Sequence, residues 1–155
     1  MACAIIELAS DRDVHLSIDL ETPDWELILN TSDIVLPTPT ASVVTSNLNN
    51  SPSYTAGSVG VTTQNSGWIT WNYATFDLTV DTTDAIHAIL IAALTTRTKL
   101  LFNITQSNTA ADAYEFVGQV TDGTDAGTGD NYKRSFVLTP CHGVDVAATP
   151  AVPTP

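Results

Sequence analysis

Residues 81–97, DTTDAIHAILIAALTTR, decide the fold, because they alone read as a helix while the chain on either side reads as strand. Ile86, Ile89, Leu90, Ala93 and Leu94 recur at the i, i+3, i+4, i+7, i+8 spacing that gathers one apolar stripe on a helix. Asp81 or Thr82 supplies an N-cap, Asp84 falls in the first turn where the positive end of the dipole favours a carboxylate, and Arg97 and Lys99 stand at the other end. A lone helix with one apolar side has to cover something, and the rest of the chain offers a β-sheet. The sequence therefore predicts a mainly β fold of two packed antiparallel sheets, sandwich- or barrel-like, flanked by a single α-helix at about 82–97.

Outward from the helix the pattern has period two. Lys99 to Gln106 puts Leu100, Phe102 and Ile104 on one side. Tyr114 to Val120, with Phe116 and Gly118, and Tyr132 to Thr139, with Phe136 and Leu138, form a hairpin that ends at Pro140, which cannot donate to a ladder. Before the helix, Gly67 to Tyr73 leads into an aromatic strand with Phe76, Leu78 and Val80. Near the start, Val14, Leu16, Ile18 and Leu20 alternate with Asp13, His15, Ser17 and Asp19. A turn at Thr22-Pro23-Asp24 follows, and then Trp25, Leu27 and Leu29 alternate with Asp24, Glu26 and Asn30. This reads as a hairpin with an apolar inner and an acidic outer face.

From Thr31 to Phe76 the only charged residue is Asp33. Pro37 and Pro39 interrupt this segment, Asn47 to Pro52 reads as a loop tip, and Val43-Val44 and Val59 to Val61 are short β-prone runs beside it. A neutral polar excursion at about 31–67 buries too little to stand alone, so it is either a mobile loop or a surface that neighbouring chains complete. The expected organisation is an N-terminal arm at 1–12, a β domain at 13–140 carrying the excursion, and a Pro-rich extended arm at 141–155, whose end from Ala147 onward has no packing of its own.

With 155 residues the chain fits one domain, and its 17 acidic and 5 basic residues give a formal charge of −12. That charge repels nucleic acid phosphates and anionic lipid heads, which argues against conventional DNA binding and membrane association. There is no apolar run of about 18 residues, and the opening Met1 to Glu7 breaks too early for a signal peptide, so a soluble protein made in the cytoplasm is expected. The acid is mostly Asp and Lys occurs only at 99 and 133, a balance that hints at a salty habitat. Cys3 and Cys141 are too few for a disulfide framework, and their spacing leaves their pairing open.

The most motif-like stretch, Asp122 to Asp130, lacks the Lys of a phosphate cradle and misses the spacing of an EF-hand. It reads as a Gly-rich hairpin loop, with a calcium site as the alternative. Cys141 and His142 are adjacent and point to opposite sides of extended backbone, with no second pair at zinc spacing. His15 on a polar strand face and His87 on a helix flank read as surface histidines, so His87→Ala should be mild. Asp24 and Glu26 share a strand face and can be drawn as a glycosidase pair, yet acidic rows on solvated strands are commonplace. No enzyme, catalytic residue, cofactor or metal is expected.

The order from Asp81 to Thr139, closing with Phe116-Val-Gly-Gln-Val-Thr, a polar loop and Arg134-Ser-Phe-Val-Leu-Thr, resembles the tail tube proteins of long-tailed, siphovirus-like phages and related viruses. The resemblance covers the C-terminal half well and the first hairpin loosely, and finds no match for the 31–67 excursion. It implies a structural virion protein that partners itself in hexameric rings, stacked into a tail tube, and meets other tail proteins at the tube ends. Viral DNA passes through in transit without specific binding, no membrane is involved, and assembly takes place in the host cytoplasm. Within that picture an acidic wall lets DNA slide, and Asp19, Glu21, Asp24, Glu26 and Asp77 are the residues expected to face the lumen. The competing expectation is a capsid-decorating or cell-surface β-sandwich that binds a protein or glycan through Trp68, Trp71 and Tyr73, residues that equally suit a core or a subunit interface.

Overall fold

The apolar alternation builds a large antiparallel sheet. The computed structural model describes residues 12–48, 61–106, 112–125 and 132–151, without the side chains of 42–48 and 61–68. In chain order the elements are β1 (Val14–Ser17), β2 (Glu26–Leu27), β3 (Thr31–Val35), β4 (Pro39–Leu48), β5 (Val61–Trp71), β6 (Ala74–Thr79), α1 (Ala85–Thr96), β7 (Leu100–Thr105), β8 (Ala113–Asp125), β9 (Lys133–Pro140) and β10 (Asp145–Ala148). Eight strands form one sheet in the order β2-β1-β7-β8-β9-β6-β3, with β10 also paired to β8, while β4 and β5 form a separate two-stranded sheet. The fold is thus mainly β with a large sheet, a small second sheet and a single helix, as the sequence predicts. No described helix is long and apolar enough to cross a membrane.

The chain divides into two compact units, Pro39–Thr70 being one and the remainder the other. In the larger unit, Phe76 and Leu78 of β6, Leu100, Phe102 and Ile104 of β7, Phe116 and Val120 of β8 and Phe136 and Leu138 of β9 share one face and a single buried cluster. Val14 and Leu16 from one end of the sheet and Ile34 from the other join the same cluster, so the sheet curls around its contents. Arg12 fastens that curl: its Nε donates to the Gln106 carbonyl just after β7 (3.0 Å) and its guanidinium Nη1 to the Ile34 carbonyl of β3 (2.9 Å).

Helix α1 fills the concave side with Leu90 and Ala93, while Ile86, Ile89, Ile91 and Leu94 are partly buried against the same cluster. Its cap is Asp84, not Asp81 or Thr82. The Asp84 carboxylate accepts from the N–H of Ile86 (2.8 Å) and His87 (3.4 Å), whereas Asp81 closes the preceding turn by accepting from Thr83 N–H (2.9 Å) and Oγ1 (2.7 Å). The helix ends at Arg97 in the left-handed region, φ 55°, and Arg97 Nη1 donates to the carbonyls of Val120 (3.0 Å) and Thr121 (3.2 Å), where the register of β8 against β9 slips. Leu94 packs close over Gly123, where a Cβ would stand 2.6 Å from a Leu94 methyl and require that side chain to shift.

Five expectations change on contact with the fold. The first strand ends at Ser17, leaving Ile18 and Leu20 exposed while His15 and Ser17 are buried. Leu16 pairs with Glu26 and Ile28 N–H bonds to the Val14 carbonyl (2.9 Å), so the parity of the second strand is inverted and Ile28, not Leu29, enters the core. The polar excursion begins later than 31, because β3 belongs to the large sheet through pairs such as Thr31↔Leu78. Its remainder holds the two strands β4 and β5. The C-terminal arm is also packed: β10 runs along β8 beyond the point where β9 leaves it, and Asn103 clasps the residues just after β10. The Asn103 side-chain amide donates to the Thr149 carbonyl (3.0 Å) and its Oδ1 accepts from Ala151 N–H (3.2 Å). That strap covers Asn103 on the outward face of β7.

Candidate functional site

Of the five carboxylates expected to face the lumen, Glu26 and Asp77 stand on opposite faces of the sheet, while Asp19, Glu21 and Asp24 lie in the turn between β1 and β2. Directly opposed residues in an antiparallel pair project to the same side, so Glu26, the partner of Leu16, stands on the concave side with the helix. Asp19, Asp24 and Glu26 line one groove with Leu16, Ile18, Ala85, Ile86 and Ile89, a hollow of about 540 Å³. Glu21 is exposed in the same turn. That turn is ordered: Asp19 Oδ1 accepts from the N–H groups of Glu21 (2.9 Å) and Thr22 (3.0 Å), and these two contacts, Thr22 foremost, hold its carboxyl below the usual carboxylate range. Ser17 Oγ completes the turn by donating to the Asp19 carbonyl (2.8 Å) and accepting from Asp24 N–H (3.0 Å).

Asp77 belongs to the other face. It alternates with Phe76 and Leu78, sits opposite Ser135, and accepts a 2.6 Å hydrogen bond from the Ser135 hydroxyl. Around it the outward face of β6, β9 and β8 carries Thr75, Thr79, Lys133, Val137, Thr139, Asp122 and Thr124, and Thr121, at the register slip, bonds its hydroxyl to that of Thr139 at 2.8 Å. This is a hydroxyl-rich wall with two carboxylates and one lysine, several of its polar groups tied to one another across strands.

The two histidines read as surface residues, His15 and His87, are buried. His87 is fully buried; its Nδ1 accepts from Asp81 N–H (3.0 Å), so the proton resides on Nε2, which donates to the Leu29 carbonyl (2.9 Å). His15 is 4% exposed, and its Nδ1 has no hydrogen-bond partner. Burial lowers its pKa despite the opposing influence of Asp13 and the Asn103 backbone. A helix-flank histidine at the i+3 position from a capping Asp was the available signal for the first; nothing local marks the second. Cys141 carries a free thiol. Among the described residues no three His, Cys, Asp or Glu side chains gather as metal ligands; Asp122 accepts from Gly123 N–H and Thr124 Oγ1 within its own turn, and most of the following loop lies outside the described residues. Cys3 and the side chain of Trp68 lie outside them too, while Tyr73 is exposed and Trp71 half-buried.

No family model matches the sequence, and no curated protein does. Among solved structures, a chain in the tail of an empty gene transfer agent particle, refined with C6 symmetry, superposes with a TM-score of 0.59 at 12% identity, covering 92% of this chain and 100% of that one. The SPP1 tail tube, determined by solid-state NMR and cryo-EM, gives 0.59 at 14% identity over 94% and 81%. The chain shares the fold of these tail chains. A chain of the sixfold-symmetrised anti-feeding prophage baseplate extends the likeness, with 0.60 at 11% identity over 94% and 98%. The shared fold takes in both the curled sheet and the helix rather than a fragment of either, since the match spans nearly the whole chain.

Proposed function

We propose that this chain is the structural subunit of a viral tail tube: copies form rings, six to a ring, and the rings stack into a conduit for DNA. The observation that carries this reading is the near full-length likeness to chains of a C6 tail and of a tail tube. Its partners are then further copies of itself and other tail components, with DNA only in transit; its place is the virion tail, assembled in the host cytoplasm, and its role is not enzymatic. The bore is assigned to the outward face of β6, β9 and β8. A wall that passes DNA has to be smooth and must not bind phosphate, and hydroxyls already bonded to neighbouring strands, with Asp77 and Asp122 among them, meet both needs. Asp19, Glu21, Asp24 and Glu26 then lie away from the bore.

Purified protein examined by negative-stain microscopy is expected to show rings or tubes; dispersed monomers would favour the competing binding-module reading. For the bore, Asp77→Lys with Asp122→Lys should leave the fold intact at a cost of about 1 kcal/mol, chiefly from the Ser135 hydrogen bond. DNA passage should slow, because the wall now pairs with phosphates, and added salt should restore it. Genome ejection by virions carrying the substituted subunit, measured at low and high salt, reads this out. Unchanged ejection at both, with normal tubes, would remove this face from the bore.

A further inference from the structure

We infer that His15 is an acid-sensitive catch on the first hairpin: protonation of its buried ring releases β2 from β1 while the rest of the sheet stays paired. His15 alternates with the core residues Val14 and Leu16, so it projects from the outward face of β1. It is 4% exposed, yet its Nδ1 has no hydrogen-bond partner, and among the described residues it is the one buried side-chain nitrogen or oxygen in that position. Neither tautomer of the neutral ring removes the defect, which is a stranded acceptor in one and a stranded donor in the other. Adding a second proton makes it worse, because the ring is then charged as well as unpaired.

The described groups around the ring give that charge little relief. Asp13, on the same strand, is exposed, and burial outweighs its attraction and that of the Asn103 backbone. On β7 the residue directly opposite is Asn103, whose side-chain amide is committed to the Glu115 carboxylate of β8 (3.3 Å) and the Thr149 carbonyl (3.0 Å). Asn103 stands between the ring and Glu115, and Asp145 of β10 lies beyond, opposite Glu115. On β2 the opposite residue is Leu27; Asp19, Asp24 and Glu26 line the groove on the concave side. Lys99, exposed just before β7, is itself a cation. His87 differs: both its ring nitrogens are bonded, and the Asp84 carboxylate is 3.7 Å from Nε2.

The side that gives way is β2. Strand β7 is held by ladders on both sides, to β1 and to β8, whereas β2 is two residues long, ends the sheet, and has His15 itself as the partner of Leu27. The bond from Ile28 N–H to the Val14 carbonyl and the buried Ile28 side chain keep it in place while the ring is neutral. Lifting β2 admits water to Nδ1 and leaves every other ladder intact. The direction with pH follows from the ring's lowered pKa. An opened hairpin takes up the proton as the pH falls below the ordinary histidine value of about 6.5, and the closed one resists until lower pH. The closed form is therefore fully favoured above that value and loses ground below it, until the closed ring is protonated too.

Hydrogen–deuterium exchange of the full chain tests the catch, read by mass spectrometry at about pH 7.5 and about pH 5, either side of the histidine range, and corrected for the intrinsic pH dependence of exchange. In wild type, residues 14–29 should lose protection at the lower pH relative to residues 132–140 of the β8–β9 hairpin. His15→Gln, whose side chain does not titrate, should show no such difference. Circular dichroism at the higher pH checks that the variant folds, and His15→Phe takes its place where glutamine disturbs the sheet. Titration of the His15 ring in wild type, followed by NMR, should fall below the ordinary histidine value and needs no variant. An equal loss in wild type and variant, a loss spread evenly over both segments, unchanged protection at the lower pH, or a ring that titrates at or above the ordinary value would each overturn the inference.

Discussion

Leu90→Asp is expected to abolish folding, and His87→Ala to cost far more than a surface histidine would. Leu90 is fully buried in the cluster that joins the helix to the sheet, and an unpaired carboxylate there costs several kcal/mol, about 4 or more, against a total stability of roughly 5 to 15 kcal/mol for a domain. His87 acts by a different route. Its ring bridges the Asp81 amide and the Leu29 carbonyl, tying the turn that starts the helix to the segment between β2 and β3. Alanine leaves both backbone groups without that partner and opens a void, a loss of about 2 to 4 kcal/mol. Thermal melts should rank wild type above His87→Ala above Leu90→Asp. A His87→Ala melting temperature within about 1 °C of wild type, where about 1 kcal/mol shifts a domain of this size by several degrees, would contradict the bridging role.

Removing Pro39–Thr70 and joining its ends by a short turn is expected to leave a folded domain that no longer stacks into tubes. These residues form a compact unit of their own containing a two-stranded sheet, an arrangement that is marginal at best in water without further support. The ends to be joined are already neighbours: Asn72 N–H bonds to the Thr38 carbonyl at 2.9 Å, and its side-chain amide to Thr38 Oγ1 at 3.2 Å. Among the described residues the core cluster contains none of the deleted unit, so the melting transition should survive. A neutral segment is also the part of so acidic a chain best suited to meet other copies, since like charges across an interface are costly. Circular dichroism and electron microscopy give the answer together. Loss of the folded signal, or tubes of ordinary length, would refute the assignment.

How much the sequence revealed depended on how strongly each residue's surroundings were written into its neighbours. Phe76, Leu78, Phe102, Phe116, Phe136 and Leu138 alternate with residues that face outward, so strand identity, inward face and the β8–β9 hairpin were legible. So was the helical stripe around Leu90. The first hairpin was not, because apolar residues occur at both parities from Trp25 to Leu29 and the sheet there is covered on both faces; periodicity cannot choose between two buried sides. That inversion moved Glu26 to the helix side and divided the carboxylates expected to form one wall. Strand β3 escaped because Asn30 and Asp33 adopt left-handed conformations, φ 62° and 51°, bends that break the alternation around Ile34. The packing of the arm was invisible for another reason. It depends on Asn103, 46 residues before Thr149, and no local pattern encodes so distant a clasp.

Arg12 closes the curled sheet with one guanidinium where a complete barrel would have a strand ladder. A ladder between the two ends would fix their separation along its whole length, residue against residue. The Arg12 guanidinium joins them at one place, through hydrogen bonds worth about 1.5 to 3 kcal/mol each when the donor is charged. Among the described residues no strand pairing joins β2 to β3, so a rotamer change at Arg12 would release this contact and leave every backbone pair of the sheet intact.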